Sequence, residues 1–574
     1  MALSSSHPAA AAVATVLAQH GVKHAVVSPG SRNAPLVLAL HRHPDIQVRV
    51  SIDERAAAHH ALGMALATWT PVPVICTSGT AVINHGPALA EAFHARIPLL
   101  SITADRPASV VGKGHGQTIH QAHVHNAHTL AQDVLDESTM GLEELKLRMS
   151  KAIQTALHGG PGNAAGPVHL NLPFEEPLYD LAPLPEALTL PSEQTSIPSP
   201  DSATLNPSAP LMEALRRGRV LVIAGPRPTA ATVPQRDPLK VNMPCMAERG
   251  SHVVGPCVTF GAERMLVNGL LPSELTPDAI LTVGLPPMSK AIRKALSGVP
   301  HWHVGEDLTG EGMGWDVWDA LQGSAPANAL TSAAEDAFFK AWADVKRDVG
   351  ALSTHFKAEW SDLNAWHTLT QCFSSWPEER RPKALHLANS ASARYAQWLN
   401  LQTALHPKAI IHANRGVAGI DGCTSTALGW HAIARQMDAT HQTWLITGDI
   451  AFHYDSNAFL TDPLPTGLRI VVMNNGGGGI FRWLPGTQHA DMFQRHFETP
   501  PTRHVQDMAQ AMNATYLRAE NKAELERAIQ AAEQTEGNAV VEVVTSSEES
   551  ASEQDRYLNI FKESKSTKNI GEQL

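Results

Sequence analysis

The feature that most constrains this chain is a repeated alternation. Short apolar runs rich in Val and Ile end in glycine or a small polar residue and give way to a helical pattern. "HAVVSPG" leads into "APLVLALHRH", "QVRVSID" into "ERAAAHHALGMALAT" and "PVPVICTSGT" into "AVINHGPALAEAFHA". "IPLLSITADRP" follows, and "GPVHLNLPF" closes the section near Phe174. Runs without polar alternation read as strands buried on both faces. Strands and helices alternating at this spacing build βαβ units and a parallel sheet flanked by helices. The expected fold class is therefore α/β.

The same pattern divides the chain into three units, 1–182, 183–350 and 351–574. The second begins with a Pro/Ser-rich stretch, 183–210, that has the composition of a linker. Its strands are expected in "RVLVIAGPRP", "AILTVGLPPMSKAIRKAL" and "HWHVGED". Residues from about 332 to 373 look helical. The third unit holds "KAIIHANRG", "QTWLITGDI", "RIVVMNNGG" and "NAVVEVVTS", and the tail after Ser546 reads as polar and loosely packed. At the amino end, "MALSSSHPAAAAVATVLAQHG" lacks the basic start of a signal peptide. It reads as a helix capped among the serines and ended at Gly21.

Composition narrows the classes. A net charge of −11 argues against a general nucleic-acid binder. The five cysteines form no C-x-x-C pair, which suggests a reducing compartment and neither zinc nor a disulfide framework. No apolar stretch approaches the roughly 18 residues of a membrane span. A cytoplasmic protein is expected.

Two strand ends carry the chemistry. "TWLITGD" stops at Gly448-Asp449, and "IVVMNNGGGGIF" runs from β-branched residues into two asparagines and four glycines. The interval between them fits a strand, a crossover helix and a return strand. The right-handed crossover rule places the two ends side by side or nearly so. The Asp449 carboxylate, the Asn475 amide oxygen and a carbonyl of the glycine loop at Gly477 then converge. That oxygen set suits Mg²⁺, which takes few protein ligands and fills its octahedron with phosphate oxygens and water. Glycines let a diphosphate lie against backbone N–H groups. No G-x-x-x-x-G-K-[ST] is present, and no G-x-G-x-x-G follows a first strand.

The Gly-Asp and Asn-Asn pair resembles the metal–diphosphate motif of thiamine diphosphate enzymes, with Ile450 where glycine is usual. The resemblance implies thiamine diphosphate and Mg²⁺ (or Mn²⁺) as cofactors, and a glutamate that hydrogen-bonds the aminopyrimidine ring. Glu54, at the start of "ERAAAHHALGMALA", matches that glutamate. Ser78 and Gly79 of "TSGT" are matched as further cofactor contacts.

"SPGSRNAPL", "TSGTAVINHGPALAEA", "ITADRP" and "ANRGVAGIDGCTSTALG" resemble the MenD family, the 2-succinyl-5-enolpyruvyl-6-hydroxy-3-cyclohexene-1-carboxylate synthases of menaquinone biosynthesis. The likeness runs through the first and third units and is thin in the middle one. It implies a thiamine diphosphate-binding fold: a pyrimidine-binding domain, a central domain and a diphosphate- and metal-binding domain. It also implies 2-oxoglutarate and isochorismate as substrates. Their carboxylates call for arginines, which clamp such groups in a bidentate fork. Motif matching implies Arg32, Arg106, Arg394 and Arg415, with Ser390 and Gln117 as polar contacts. Ile420 matches the apolar residue under the bent cofactor, and Ile480 and Phe481 match the apolar wall near the reacting carbon. Lys290 matches a basic segment of the middle unit. Ala291 stands where a second basic residue is usual, with Arg293 or Lys294 as the substitute.

Glu54 and Asp449 fall in different units. In this superfamily one cofactor bridges the two across a subunit interface, so at least a homodimer is expected. An acetolactate synthase or 2-oxoacid decarboxylase is the alternative enzyme, opposed by "SPGSRNAPL" and the arginines. A catalytically silent protein on the same fold is opposed by the intact Glu54, Asp449 and Asn475.

Overall fold

The computed structural model describes residues 3–160, 164–189, 207–227, 238–266, 271–304, 320–484, 486–487 and 491–563. Three parallel sheets dominate it. In spatial order the first contains Gln47–Ser51, His24–Val27, Val72–Cys76, Leu99–Asp105, Pro167–Pro173 and Ala131–Val134. The second contains Val258–Phe260, Cys245–Ala247, Val220–Ala224, Ala279–Val283, His301–Val304 and Leu321–Ala325. The third contains Ile410–Ala413, Ala384–Leu387, Thr443–Gly448, Arg469–Asn474, Ala539–Val544 and Thr515–Ala519. The α/β class read from the alternation is the class observed. Strands such as Val72–Cys76, Val220–Ala224 and Ala279–Val283 are buried at every residue, as sheets covered on both faces require.

The first and third sheets share one topology. In each, the second strand in chain order lies outside the first, followed by the third, fourth, sixth and fifth. The chain therefore leaves the first strand toward one edge and returns on its other side. This switch opens a crevice at the carboxyl ends of the first and third strands, where α/β folds bind ligands. The third sheet also reaches into the first unit. After Asp449 the chain forms a short helix, Asp449–Tyr454, and a two-residue strand, Thr461–Asp462, which pairs antiparallel with Gln47–Ser51.

Helices Glu54–Thr68 and Cys423–Met437 join the two units at their backbones. Gly63 faces the Thr426 carbonyl and Gly429 faces the His60 carbonyl, each so closely that a Cβ would lie 2.0 Å from the oxygen. Only glycine allows that approach.

Three sequence expectations need correction or restriction. The amino-terminal serines do not cap a helix. Ser4 and Ser5 lie in a strand, Leu3–Ser5, paired with Leu181–Pro183, and the helix runs from Pro8 to Gln19 behind His7. The tail after Ser546 is not loosely packed. Ser547–Glu563 is a helix whose Tyr557 is fully buried against Phe356, and the Tyr557 hydroxyl meets the Arg264 guanidinium. The polar pattern hid one buried aromatic anchor. Most of the linker expectation, 190–206, lies outside the described residues.

Candidate active site

The carboxyl ends of the third sheet surround a cleft of about 180 Å³. It is lined by Asp449, Asn475, Gly477, Ser390, Ile420, Ile480 and Phe481, among others. Strands Thr443–Gly448 and Arg469–Asn474 are direct parallel neighbours, with Gly448 opposite Met473. Asp449 and Asn475 therefore leave the sheet side by side. Asp449 is 2% exposed. Its Oδ1 accepts the Ile450 N–H at 2.8 Å, and its Oδ2 has no hydrogen-bond partner. Asn475 donates Nδ2 to Asp362 Oδ2 at 2.8 Å, and its Oδ1 is likewise buried without a partner. Burial pushes the Asp449 carboxyl up to about 7, with the Ile450 N–H acting against it.

Two buried, unpartnered oxygens aimed into one cleft are what a hard cation needs. Among the described residues no three His, Cys, Asp or Glu side chains form a competing metal cluster. The glycine loop has its own geometry. Gly476 and Gly477 take φ of +84° and +130°, and a Cβ on Gly477 would lie 2.2 Å from the Glu498 carbonyl oxygen. The donor set and this small-residue loop fit Mg²⁺ and a diphosphate.

Apolar groups line the same cleft, and two arginines hydrogen-bond residues of its lining from behind. Ile480 and Phe481 sit in the turn Gly479–Trp483, with Phe481 edge-on to Phe497. Arg394 donates Nη1 to the Ser390 carbonyl at 2.7 Å, and Arg415 donates Nη1 to Asn389 Oδ1 at 2.9 Å. Burial lowers the pKa of both guanidinium groups; the neighbouring Arg415 adds to the shift at Arg394, whereas Glu248 and Glu91 act against it at Arg415. Asn389 also donates to the carbonyls of Asn414 and Gly419, holding the loop that carries Arg415 and Ile420.

That loop is clamped from the first unit. The buried Glu91 accepts the Gly416 N–H at 2.7 Å and the Val417 N–H at 2.8 Å, one on each carboxylate oxygen. From the second unit, buried Glu248 lines a small cavity together with Arg415; burial raises its carboxyl to about 7, and the nearby Arg415 acts against that shift.

The other expected residues gather elsewhere. Arg32 is buried, donating Nη1 to the Phe174 carbonyl at 2.9 Å and Nη2 to Glu176 at 3.1 Å. Its pKa is lowered by burial and then by the nearby Arg106. Gly79, at φ +89°, packs against Gln117 and donates its N–H to Gln121 Oε1 at 3.1 Å. The Ser78 hydroxyl is buried without a partner. Glu54 is half-buried at the first turn of helix Glu54–Thr68, after Asp53, which caps it. Lys290 is exposed at the start of helix Lys290–Ala295, while Arg293 turns its guanidinium onto the Pro287 carbonyl. None of Arg32, Glu54, Ser78, Gly79, Arg106, Gln117, Lys290, Arg394 and Arg415 lines the cleft that holds Asp449.

Sequence reasoning missed Asp362, Glu91, Gln121, Glu248 and Asn389. Each is a single polar residue in an ordinary-looking segment. The one available signal was Glu91, an acid on the apolar face of the small-residue helix Gly86–Ala95.

Known proteins bear on this geometry. Residues 8–125 match the family model of the thiamine pyrophosphate enzyme N-terminal TPP binding domain, and residues 394–543 match that of the C-terminal TPP binding domain. Among curated relatives, a protein of Cytophaga hutchinsonii is 30% identical over 90% of this chain and 92% of its own length. One of Desulfotalea psychrophila is 34% identical over 87% and 91%, and one of Geobacillus kaustophilus 31% identical over 94% of each. All three are named 2-succinyl-5-enolpyruvyl-6-hydroxy-3-cyclohexene-1-carboxylate synthase.

Proposed function

The chain belongs to the 2-succinyl-5-enolpyruvyl-6-hydroxy-3-cyclohexene-1-carboxylate synthase family of thiamine diphosphate enzymes, and from that premise we propose its reaction. It releases CO₂ from 2-oxoglutarate and adds the remaining succinyl unit in 1,4 fashion to isochorismate, as a step of menaquinone biosynthesis. The observation that carries the reading is one cleft where two unpartnered oxygens, on Asp449 and Asn475, face Ser390 and Asn389, which the half-buried Arg394 and Arg415 hydrogen-bond from behind the lining.

Asp449, Asn475 and the Gly477 carbonyl would hold Mg²⁺, with Mn²⁺ as the alternative ion, and the glycine loop would receive the diphosphate. Thiamine diphosphate, when bound, supplies the electron sink for decarboxylation and carbon–carbon bond formation. The chain supplies charge, orientation and dryness. Arg394 and Arg415 neutralise substrate carboxylates, and their partial desolvation strengthens that attraction. Ile420, Ile480 and Phe481 exclude water from the reacting centre. Glu54 would hydrogen-bond the aminopyrimidine ring and favour its imino tautomer, with Ser78, Gly79 and Gln117 as further contacts. Arg32, Arg106 and Lys290 meet the second substrate.

We read the working enzyme as at least a homodimer, with one copy's Glu54 face closing on the other's Asp449 cleft. Within one chain Glu54 does not line that cleft. Beside Glu54, large apolar side chains stand open: Ile52 is 62% exposed, Tyr454 49% and Leu460 46%. No helix among the described residues is long and apolar enough to cross a membrane. The five cysteines are free, in keeping with a reducing cytoplasm.

The test is product identification by mass spectrometry after mixing the protein with Mg²⁺, thiamine diphosphate, 2-oxoglutarate and isochorismate. The succinylated cyclohexene carboxylate is expected. CO₂ release without coupling, or an acetolactate-type product in a parallel mixture with pyruvate in place of both substrates, would replace this reading.

A further inference from the structure

Asn475 can serve a cation through only one end of its amide. Its nitrogen carries two donors and would repel a metal ion, whereas its oxygen would bind it. Something must decide which end faces the cleft, because the two ends are nearly equal in size. In this structure the amide nitrogen is engaged, donating to Asp362 Oδ2 at 2.8 Å, and the oxygen is left buried without a partner.

Asp362 lies far from the glycine loop in sequence and reaches it on a different element. It is the first residue of helix Asp362–Ser375, behind Ser361, whose side chain caps Asn364. An acid at this position ordinarily serves the helix dipole and faces water. Asp362 instead is 2% exposed. Its Oδ1 accepts the Thr545 hydroxyl at 2.6 Å, and its backbone N–H donates to the Ser550 hydroxyl at 2.9 Å. Thr545 follows the strand Ala539–Val544 and Ser550 belongs to the carboxy-terminal helix. Thr545 thus fixes the carboxylate and Ser550 the backbone that carries it, and the remaining oxygen is offered to Asn475. An ionised carboxylate is acceptor-only, so it can hold Asn475 in one orientation alone.

We propose that Asp362 is a positioning residue that locks the Asn475 amide with its oxygen toward the metal position, a role that rests on the metal-site reading above. Asp362 lines the same cleft, but both of its carboxylate oxygens are taken up, by Asn475 and Thr545, so it would act on the ligand and not as one. Groups that orient metal ligands in this way typically contribute about 10–100-fold to metal affinity.

Asp362→Asn tests it, because asparagine keeps the shape but can donate as well as accept, which frees the neighbouring amide to turn. The readout is calorimetric titration of the full chain with Mn²⁺ at saturating thiamine diphosphate. A loss of about 10–100-fold in Mn²⁺ affinity is expected, with no further loss when the substitution is made in an Asn475→Ala background. Affinity within twofold of the parent overturns the proposal. So does an equal loss in the Asn475→Ala background, which would mean that Asp362 acts through its charge alone. Should Asp362→Asn fail to fold, Thr545→Val carries the test by releasing the other carboxylate oxygen. Weaker Mn²⁺ binding then supports the proposal and unchanged binding overturns it. Asp449→Ala separates this from the underlying reading: if it too binds Mn²⁺ as the parent does, the metal site lies elsewhere.

Discussion

Replacing Gly63 by alanine sets two physical effects against each other. Alanine in a helix interior is favoured over glycine by about 1 kcal/mol. At this position, however, the new methyl meets another helix. It would lie 2.0 Å from the Thr426 carbonyl oxygen and 2.9 Å from the Trp430 amide nitrogen. Ordinary contact begins near 3.4 Å, so the helices must part by about 1.4 Å. The obstructing atoms are backbone and cannot swing aside. Parting the helices also loosens Ala61, Leu62, Trp430 and Ile433, which belong to one buried cluster. Overpacking typically costs about 1–3 kcal/mol, and against immovable backbone the upper part of that range, about 2–3 kcal/mol, applies, so packing should outweigh propensity and leave a net loss of about 1–2 kcal/mol. Function should suffer more than stability. Glu54 starts one helix and Ile420 lies just before the other, and a displacement near 1 Å can lower turnover about 10²-fold. Scanning calorimetry and the coupled product assay read the two effects. Gly350→Ala is the control: it sits in helix Asp336–His355, where an added Cβ meets nothing within 4 Å, and only propensity acts. A Gly63→Ala protein that melts at or above the parent, while the control rises, would refute the reasoning.

Arg415→Ala should raise KM for one substrate while thiamine diphosphate affinity holds, since removing one partner of a buried charge pair costs on the order of 2–5 kcal/mol; normal KM values for both substrates would return Arg415 to a structural role. Glu54→Gln should bind Mg²⁺ and thiamine diphosphate yet lose about 10²–10⁴-fold in rate. Hydrogen–deuterium exchange at the reacting carbon of the bound cofactor checks this, and parent-like exchange would remove Glu54 from the chemistry. Glu248→Gln probes a buried titration. Burial raises the Glu248 carboxyl to about 7 against the pull of Arg415, whereas an unfolded glutamate titrates near 4.3, so the folded chain holds a proton across that window that the unfolded chain has lost. That contribution to stability is complete below the window and is lost as pH rises through it. From pH 5 to pH 8 the parent's melting temperature should therefore fall relative to the variant's, and a constant gap would contradict the assignment.

The alternation of buried apolar runs was legible because burial on both faces leaves a local mark, an unbroken run of Val, Ile and Leu. The adjacency of Asp449 and Asn475 was legible for a related reason: both end strands joined by a single crossover, and the handedness of that connection leaves little choice. The amino-terminal helix start and the carboxy-terminal helix were misread, because serines suit a strand as well as a cap and a polar helix can hide one anchor such as Tyr557. Only the tertiary structure supplied the residues that hold the cleft in shape. Asp362 meets Asn475 across 113 positions, and Glu91 meets Gly416 across 325. A lone acid near the start of a helix looks the same in sequence whether it faces water or a buried amide. Its meaning depends on which distant donor the fold brings to it, and periodicity, which reports burial, does not report partners.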